Sequence, residues 1–128
     1  MQGGGTTRRH PKELNMTFAP PQRHRPLVAV ASSTGMTVDT HLGHAREFRI
    51  YGSDEGMVGL IGTRPAPRPG SGDARWEGVA EILSDCSYLL VAGVGRKPLE
   101  ILADSGLTVI EAEGYVQSLL RQLCVGIE

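Results

Sequence analysis

The sequence predicts a single α/β domain, a mixed and mostly parallel sheet with helices packed on it, in the order β-β-β-α-β-α-β-α. Three observations carry this. The chain has 128 residues, which suits one domain at about 100 to 200 residues per domain. Its apolar pattern opens with strand-type runs and a hairpin, then turns to helical spacing alternating with short buried strands, as crossover units on a sheet require. Its composition, 40% hydrophobic and 21% charged with 17 Gly and 8 Pro, is globular and loop-rich.

Residues 1–25 combine a glycine run, a proline pair and scattered cations with little periodicity, the chemistry of a flexible basic arm or linker. A helical turn over residues 12–18 would be bracketed tightly by Pro11 and Pro20. The domain proper is expected over 26–128. Residues 27–32 (LVAVAS) are apolar without alternation, as in a strand covered on both faces. Residues 47–52 (EFRIYG) and 57–63 (MVGLIGT), separated by Ser-Asp-Glu-Gly, predict a hairpin. Residues 64–73, with three prolines and two glycines, form a loop.

From 74 to 83 the period becomes helical, with Trp76, Val79, Ala80 and Leu83 on one face and Asp73 as the expected N-cap. Residues 88–92 read as a buried strand. Pro98 suits a first helical turn, Leu99, Leu102 and Ala103 give that helix its apolar face, and Gly106 supplies a left-handed stop. A short strand over 108–111 and a closing helix over 115–125 complete the order.

Charge and cysteine usage narrow the function classes. Within residues 1–26 five cations face one acid, a balance of +4, whereas the remaining 102 carry eight cations and thirteen acids, a balance of −5. An acidic body lacks the clustered Lys and Arg on which nucleic-acid affinity rests, so no nucleic acid is expected as partner. The longest apolar runs are strand-length, short of the ~20 residues of a membrane span. No membrane association is expected. With no secretory-type apolar stretch behind the N-terminal arginines, the reading is cytoplasmic. Two cysteines, Cys86 and Cys124, without a CxxC exclude a disulfide framework and an all-cysteine metal cage; both read as small core residues.

In open α/β sheets ligands gather beyond the carboxyl ends of the strands, which singles out two loops. The first, residues 32–45 (SSTGMTVDTHLGHA), holds His41, Gly43 and His44. Imidazole is a borderline ligand for iron, copper and zinc, and a spacing of three puts both rings on one side of a helical turn. The bland alternative is that one histidine caps or packs while the other is solvated. Met36 offers either a thioether or plain packing, and Asp39 either orients a histidine or shapes the turn. The second loop, residues 93–98 (GVGRKP), has Gly93 and Gly95, where amides can approach an anion, followed by Arg96 and Lys97. Equally, it is a tight strand-to-helix turn. The third glycine of GxGxxG is missing, and no GxxxxGK[ST] occurs. The acids at 77, 81, 100, 104, 111 and 113 read as solvated surface.

The stretches VAVASSTGMTVDTHLGHAREFRIY and DCSYLLVAGVGRKPLEILADSGLTVIEAEG, with H-x-G-H-A as the most specific element, resemble the dinitrogenase iron-molybdenum cofactor biosynthesis family, the NifX-like proteins and the terminal domain of NifB. The resemblance spans residues 26–126. It implies a ribonuclease H-like domain with a five-stranded mixed sheet. It further implies that the iron-molybdenum cofactor, or its iron-sulfur cluster precursor, is bound as cargo and carried, stored or delivered during nitrogenase maturation. His41 and His44 match the family's proposed cluster ligands. Amides at Gly35, Gly93 and Gly95 with the charges of Arg96 and Lys97 would offset sulfide charge. The partners implied are a scaffold or apo-dinitrogenase among the maturation proteins.

That reading makes the chain a carrier and not an enzyme. It carries no cysteine in the 64–73 loop and lacks the three-cysteine motif of the radical core that builds the precursor, so it is either free-standing or a terminal domain. Two other classes compete with it. One is a non-catalytic interaction or regulatory module of the maturation machinery. The other is a metal-dependent nuclease suggested by the fold, which would need carboxylates on the central strands; residues 27–32 contain none.

Overall fold

The computed structural model describes residues 18–70 and 72–124. Five strands make one sheet: β1 (Leu27–Val30), β2 (Glu47–Asp54), β3 (Met57–Pro65), β4 (Cys86–Val91) and β5 (Thr108–Glu111), in spatial order β3-β2-β1-β4-β5. β1, β4 and β5 run parallel, and β2 is antiparallel to both its neighbours. Helices α1 (Asp73–Ile82), α2 (Arg96–Asp104) and α3 (Val116–Cys124) connect and close the sheet. This is the mixed α/β architecture that the change of period predicts.

The unalternating strands are explained by a core on each face. Ala29, Ala31, Leu89, Val91 and Val109 pack with Val79 and Leu83 from the α1 segment and Leu102 of α2. Val28, Val30, Leu90 and Ile110 pack on the other face with Val116, Leu119, Leu120 and Leu123 of α3. Successive side chains of a strand point to opposite faces, so a strand between two helical layers is buried at every position, as all six residues of β4 are; its one polar member, Ser87, donates to the Arg25 carbonyl. The β2–β3 hairpin closes through Glu55 and Gly56, both at positive φ, the backbone that matches strand twist in a two-residue turn.

Several boundaries differ from the pattern-based ones. β1 stops at Val30 because Ser32 turns the chain with its own hydroxyl, which bonds the Thr37 carbonyl. Cys86 opens β4 instead of preceding it. Gly72, not Asp73, is the N-cap of α1, without a side-chain cap bond; Asp73 is the first helical residue and its carboxylate lies 3.7 Å from Lys97 Nζ. Gly106, at φ +100°, does end α2.

Of the stretch read as a basic arm, residues 1–17 lie outside the described residues, as do residues 125–128 and the side chain of Cys124. Residues 18–25 are laid against the sheet. Phe18 packs edge-on to Tyr88, the Tyr88 hydroxyl donates to the Ala19 carbonyl, and the Gln22 amide donates to Ser87 Oγ at 2.9 Å. Arg25 is buried, its Nε donating to the Ser84 carbonyl at 2.9 Å. Sequence-local composition does not register such contacts, because they depend on residues about sixty positions away.

Candidate functional site

Three parallel strands present their carboxyl ends on one side of the molecule, and the loops leaving them are tied together. The first loop, residues 31–46, lies between the other two. It is bonded to the loop after β4 by Leu42 N–H to the Gly93 carbonyl at 2.8 Å and Ala92 N–H to the Thr40 carbonyl at 2.9 Å. It is bonded to the loop after β5 by Val38 N–H to the Gly114 carbonyl at 3.0 Å and Val116 N–H to the Met36 carbonyl at 2.8 Å. The imidazole pair and the glycine turn, about fifty residues apart, therefore meet at one end of the sheet.

The start of the first loop is built on short polar side chains. Ser32 Oγ accepts from the Gly35 amide at 2.8 Å, and Gly35 takes φ +84°, a conformation glycine adopts without steric cost. That amide is thus committed within the loop. Asp39 accepts from the Ser33 amide, the Ser33 hydroxyl and the Thr40 hydroxyl at 2.7 to 2.8 Å. Partial burial alone would raise its pKa, but the hydrogen bonds from Thr40 and Ser33 outweigh it and the carboxyl ionises below its ordinary value. Of the two roles open to Asp39, it takes the turn-shaping one.

HLGH then forms a single 3-10 turn (Leu42–His44) with Leu42 buried beneath it. In that geometry residues i and i+3 eclipse, so His41 and His44 stand side by side, ring centroids 5.6 Å apart and both exposed. Their roles are not equal. His41 is the N-cap: its Nδ1 accepts from the Gly43 amide at 2.9 Å, which puts the ring proton of the neutral form on Nε2. His44 makes no such bond and lines a hollow of about 480 Å3 with Ser32, Ser33, Thr40, Arg46 and Glu47.

Gly93 abuts His41 so closely that a Cβ there would lie 2.8 Å from His41 Cδ2. The Val94 amide is taken by Glu111, whose Oε2 accepts at 3.0 Å; Glu111 is a structural acceptor where solvated surface was expected. Gly95 is the N-cap of α2. Arg96 and Lys97 lie beyond the hollow: Arg96 pairs with Glu100 at 3.4 Å and Lys97 with Asp73. The cation that does line the hollow is Arg46. Met36 is exposed, not packed.

Pattern reading missed Arg75. Its Nη2 donates to the Gly43 carbonyl at 2.8 Å, so α1 holds the histidine turn from behind. The guanidinium lies 4.4 Å over the Trp76 ring, a cation-π contact. No local signal marks this residue, since α1 and the turn are distant in sequence. Cys86 is walled off in the core: burial, then the nearby Asp85 charge, pushes its thiol up to about 12. Among the described residues no group of three or more His, Cys, Asp or Glu side chains is placed to hold a metal ion.

Residues 24–126 match the family described as dinitrogenase iron-molybdenum cofactor. The chain belongs to this family. Among its relatives, the FeMo cofactor biosynthesis protein NifB of Chlorobaculum tepidum is 40% identical over 108 residues, covering 83% of this chain and 26% of that protein. The NifB of Frankia alni is 31% identical over 104 residues, covering 76% of this chain and 20% of that one. The chain thus spans about a quarter or less of these relatives. The NMR structure of a putative NifB protein from Thermotoga shares the fold at a TM-score of 0.51 and 24% identity, covering 79% of this chain and 89% of that one. Family membership ties the chain to iron-molybdenum cofactor biosynthesis and nitrogen fixation.

Proposed function

We propose that this domain binds the iron-molybdenum cofactor or its iron-sulfur precursor as cargo and hands it on during nitrogenase maturation, without catalysing a reaction. The observation that carries the reading is the exposed imidazole pair on one 3-10 turn, His44 at the mouth of a hollow and His41 beside it. Two imidazoles do not enclose a bare ion, which would need further ligands. A preassembled cluster brings its sulfides with it and needs only an anchor at an exposed metal.

His44 is the first anchor, because its ring has no capping bond to give up. His41 is the second: to present either nitrogen it exchanges its bond from the Gly43 amide for one to metal. The Arg46 guanidinium suits the sulfide-rich surface of the cargo, while the Ser32, Ser33 and Thr40 hydroxyls, which donate to the Thr37 carbonyl and Asp39, shape the hollow. Arg96, Lys97 and the Gly35, Gly43, Gly93 and Gly95 backbone contribute as scaffold and rim charge. A scaffold protein or apo-dinitrogenase would be giver and receiver. The sheet order and strand directions suit a ribonuclease H-like domain over 26–128, with residues 1–25 as linker, acting in the cytoplasm; no helix among the described residues is long and apolar enough to cross a membrane. A nuclease is disfavoured by the acid-free LVAV of β1.

The test is anaerobic incubation of the purified protein with the iron-sulfur precursor, gel filtration and iron counting. Wild type should retain iron. His44→Ala should lose most of it, His41→Ala less, and the double substitution all of it, with unchanged circular dichroism. Wild-type retention by the double variant would remove the proposal.

A further inference from the structure

We propose that the outer edge of β3 is where a second copy of this chain docks, strand to strand and antiparallel, joining two five-stranded sheets into one of ten. β3 is an edge strand of nine residues, Met57–Pro65. Natural edge strands are protected by charges, prolines, bulges or brevity; β3 has one bulge, at Ile61, where Leu60 and Gly62 pair with the adjacent Tyr51 and Ile50. Residues 57–63 of β3 carry no charge and no proline. Among the described residues, three of the five exposed large hydrophobic side chains lie on this strand, Met57 at 74%, Leu60 at 52% and Ile61 at 61% exposure. A groove of about 940 Å3 runs along it, floored by Leu27 and Gly52 and walled by Pro21 and Ile61.

Charge identifies the occupant as the same chain reversed. The acidic tip of the hairpin, Asp54 and Glu55, precedes the neutral stretch, and Arg64 and Arg68 follow it. Antiparallel pairing about a twofold near Leu60 and Ile61 sets each copy's acids beside the other's arginines. Parallel pairing would set like against like. Because such a twofold is perpendicular to the sheet, it preserves faces, so the two Ile61 side chains lie on one face and the two Leu60 side chains on the other, and both grooves open on the same face. A C2 contact of this kind closes on itself and leaves no further β3 edge to propagate. None of residues 57–63 lines the histidine hollow, although the end of β3 pairs with Glu47 beside it.

Sedimentation of the cargo-free protein over a concentration series tests this. Wild type should pass from monomer to dimer at or below about 1 mM. Leu60→Lys and Ile61→Lys, both surface substitutions, should remain monomeric with unchanged circular dichroism. Arg68→Glu should weaken association about threefold, as an exposed pair does, and adding Asp54→Lys to it should restore association. Hydrogen exchange should show amides of residues 57–63 slowing with concentration. A wild type that stays monomeric throughout, or lysine variants that still dimerise, would overturn the proposal, the first result leaving the edge to a different partner.

Discussion

The Arg75 guanidinium and the Gly43 carbonyl, 32 residues apart, are joined by a 2.8 Å hydrogen bond. Arg75 thereby fixes the back of the turn whose front carries both imidazoles. Arg75→Ala should lower iron retention at least threefold while shifting stability by about 1 kcal/mol. Arg75→Lys should not restore retention, because an ammonium lacks the planar fork that reaches the carbonyl while lying on Trp76. Iron counting beside urea unfolding separates the two effects.

Gly93→Ala probes the contact between the two loops. The new methyl would start 2.8 Å from His41 Cδ2, closer than real contacts allow, so the ring must swing away and give up its bond from the Gly43 amide. Cargo retention should fall toward that of His41→Ala with secondary structure intact. Gly95→Ala is the control, since a methyl there meets Pro98 at an ordinary 3.6 Å.

Alkaline stability should report Cys86. Unfolded, the thiol ionises near its ordinary 9.0; folded, burial delays this to about 12. Between those values the unfolded chain binds fewer protons, so stability is full below the lower value and falls as pH climbs toward the upper one. Urea midpoints at rising pH should show the decline, and Cys86→Ala should flatten it at a cost of about 1 kcal/mol. The residual slope belongs to Tyr51, whose phenol burial also pushes up.

Acid stability should report Asp85. Arg64 grips its carboxylate with bonds of 2.8 and 3.0 Å and also donates to the Ile82 carbonyl. These hydrogen bonds hold the Asp85 carboxyl below its ordinary 3.8 against the opposing effect of burial. Its contribution is present above 3.8 and lost as pH falls through the lowered value. The pair is partly exposed, so Asp85→Asn should cost about 1 kcal/mol and make the acid limb of the stability curve shallower.

Much of the fold is legible because burial writes itself into local pattern. LVAV and the YLLV of β4 are without polar alternation since helices cover both faces of β1 and β4, and glycine at 106 marks the end of α2 by its backbone freedom. The meeting of the HLGH and GVG loops also follows from pattern, once parallel β1 and β4 are taken as neighbours. What escapes is whatever one side chain does at long range. Arg75 behind Gly43, Glu111 on the Val94 amide and Phe18 against Tyr88 leave no periodic trace. Asp73 misled because aspartate before an apolar face suits a cap and a first turn alike. At His41 both descriptions of a histidine apply at once, since its ring caps the turn and stands beside His44.

The bonds from Leu42 to Gly93 and from Ala92 to Thr40 give the histidine turn a mechanical character. It is stitched to the tip of β4, the second-innermost rail of the sheet, and to the start of α3 through Met36, so it cannot swing as a hinged lid does. If the domain carries cargo as proposed, release would come from the rings rotating about their own bonds while the framework behind them stays rigid.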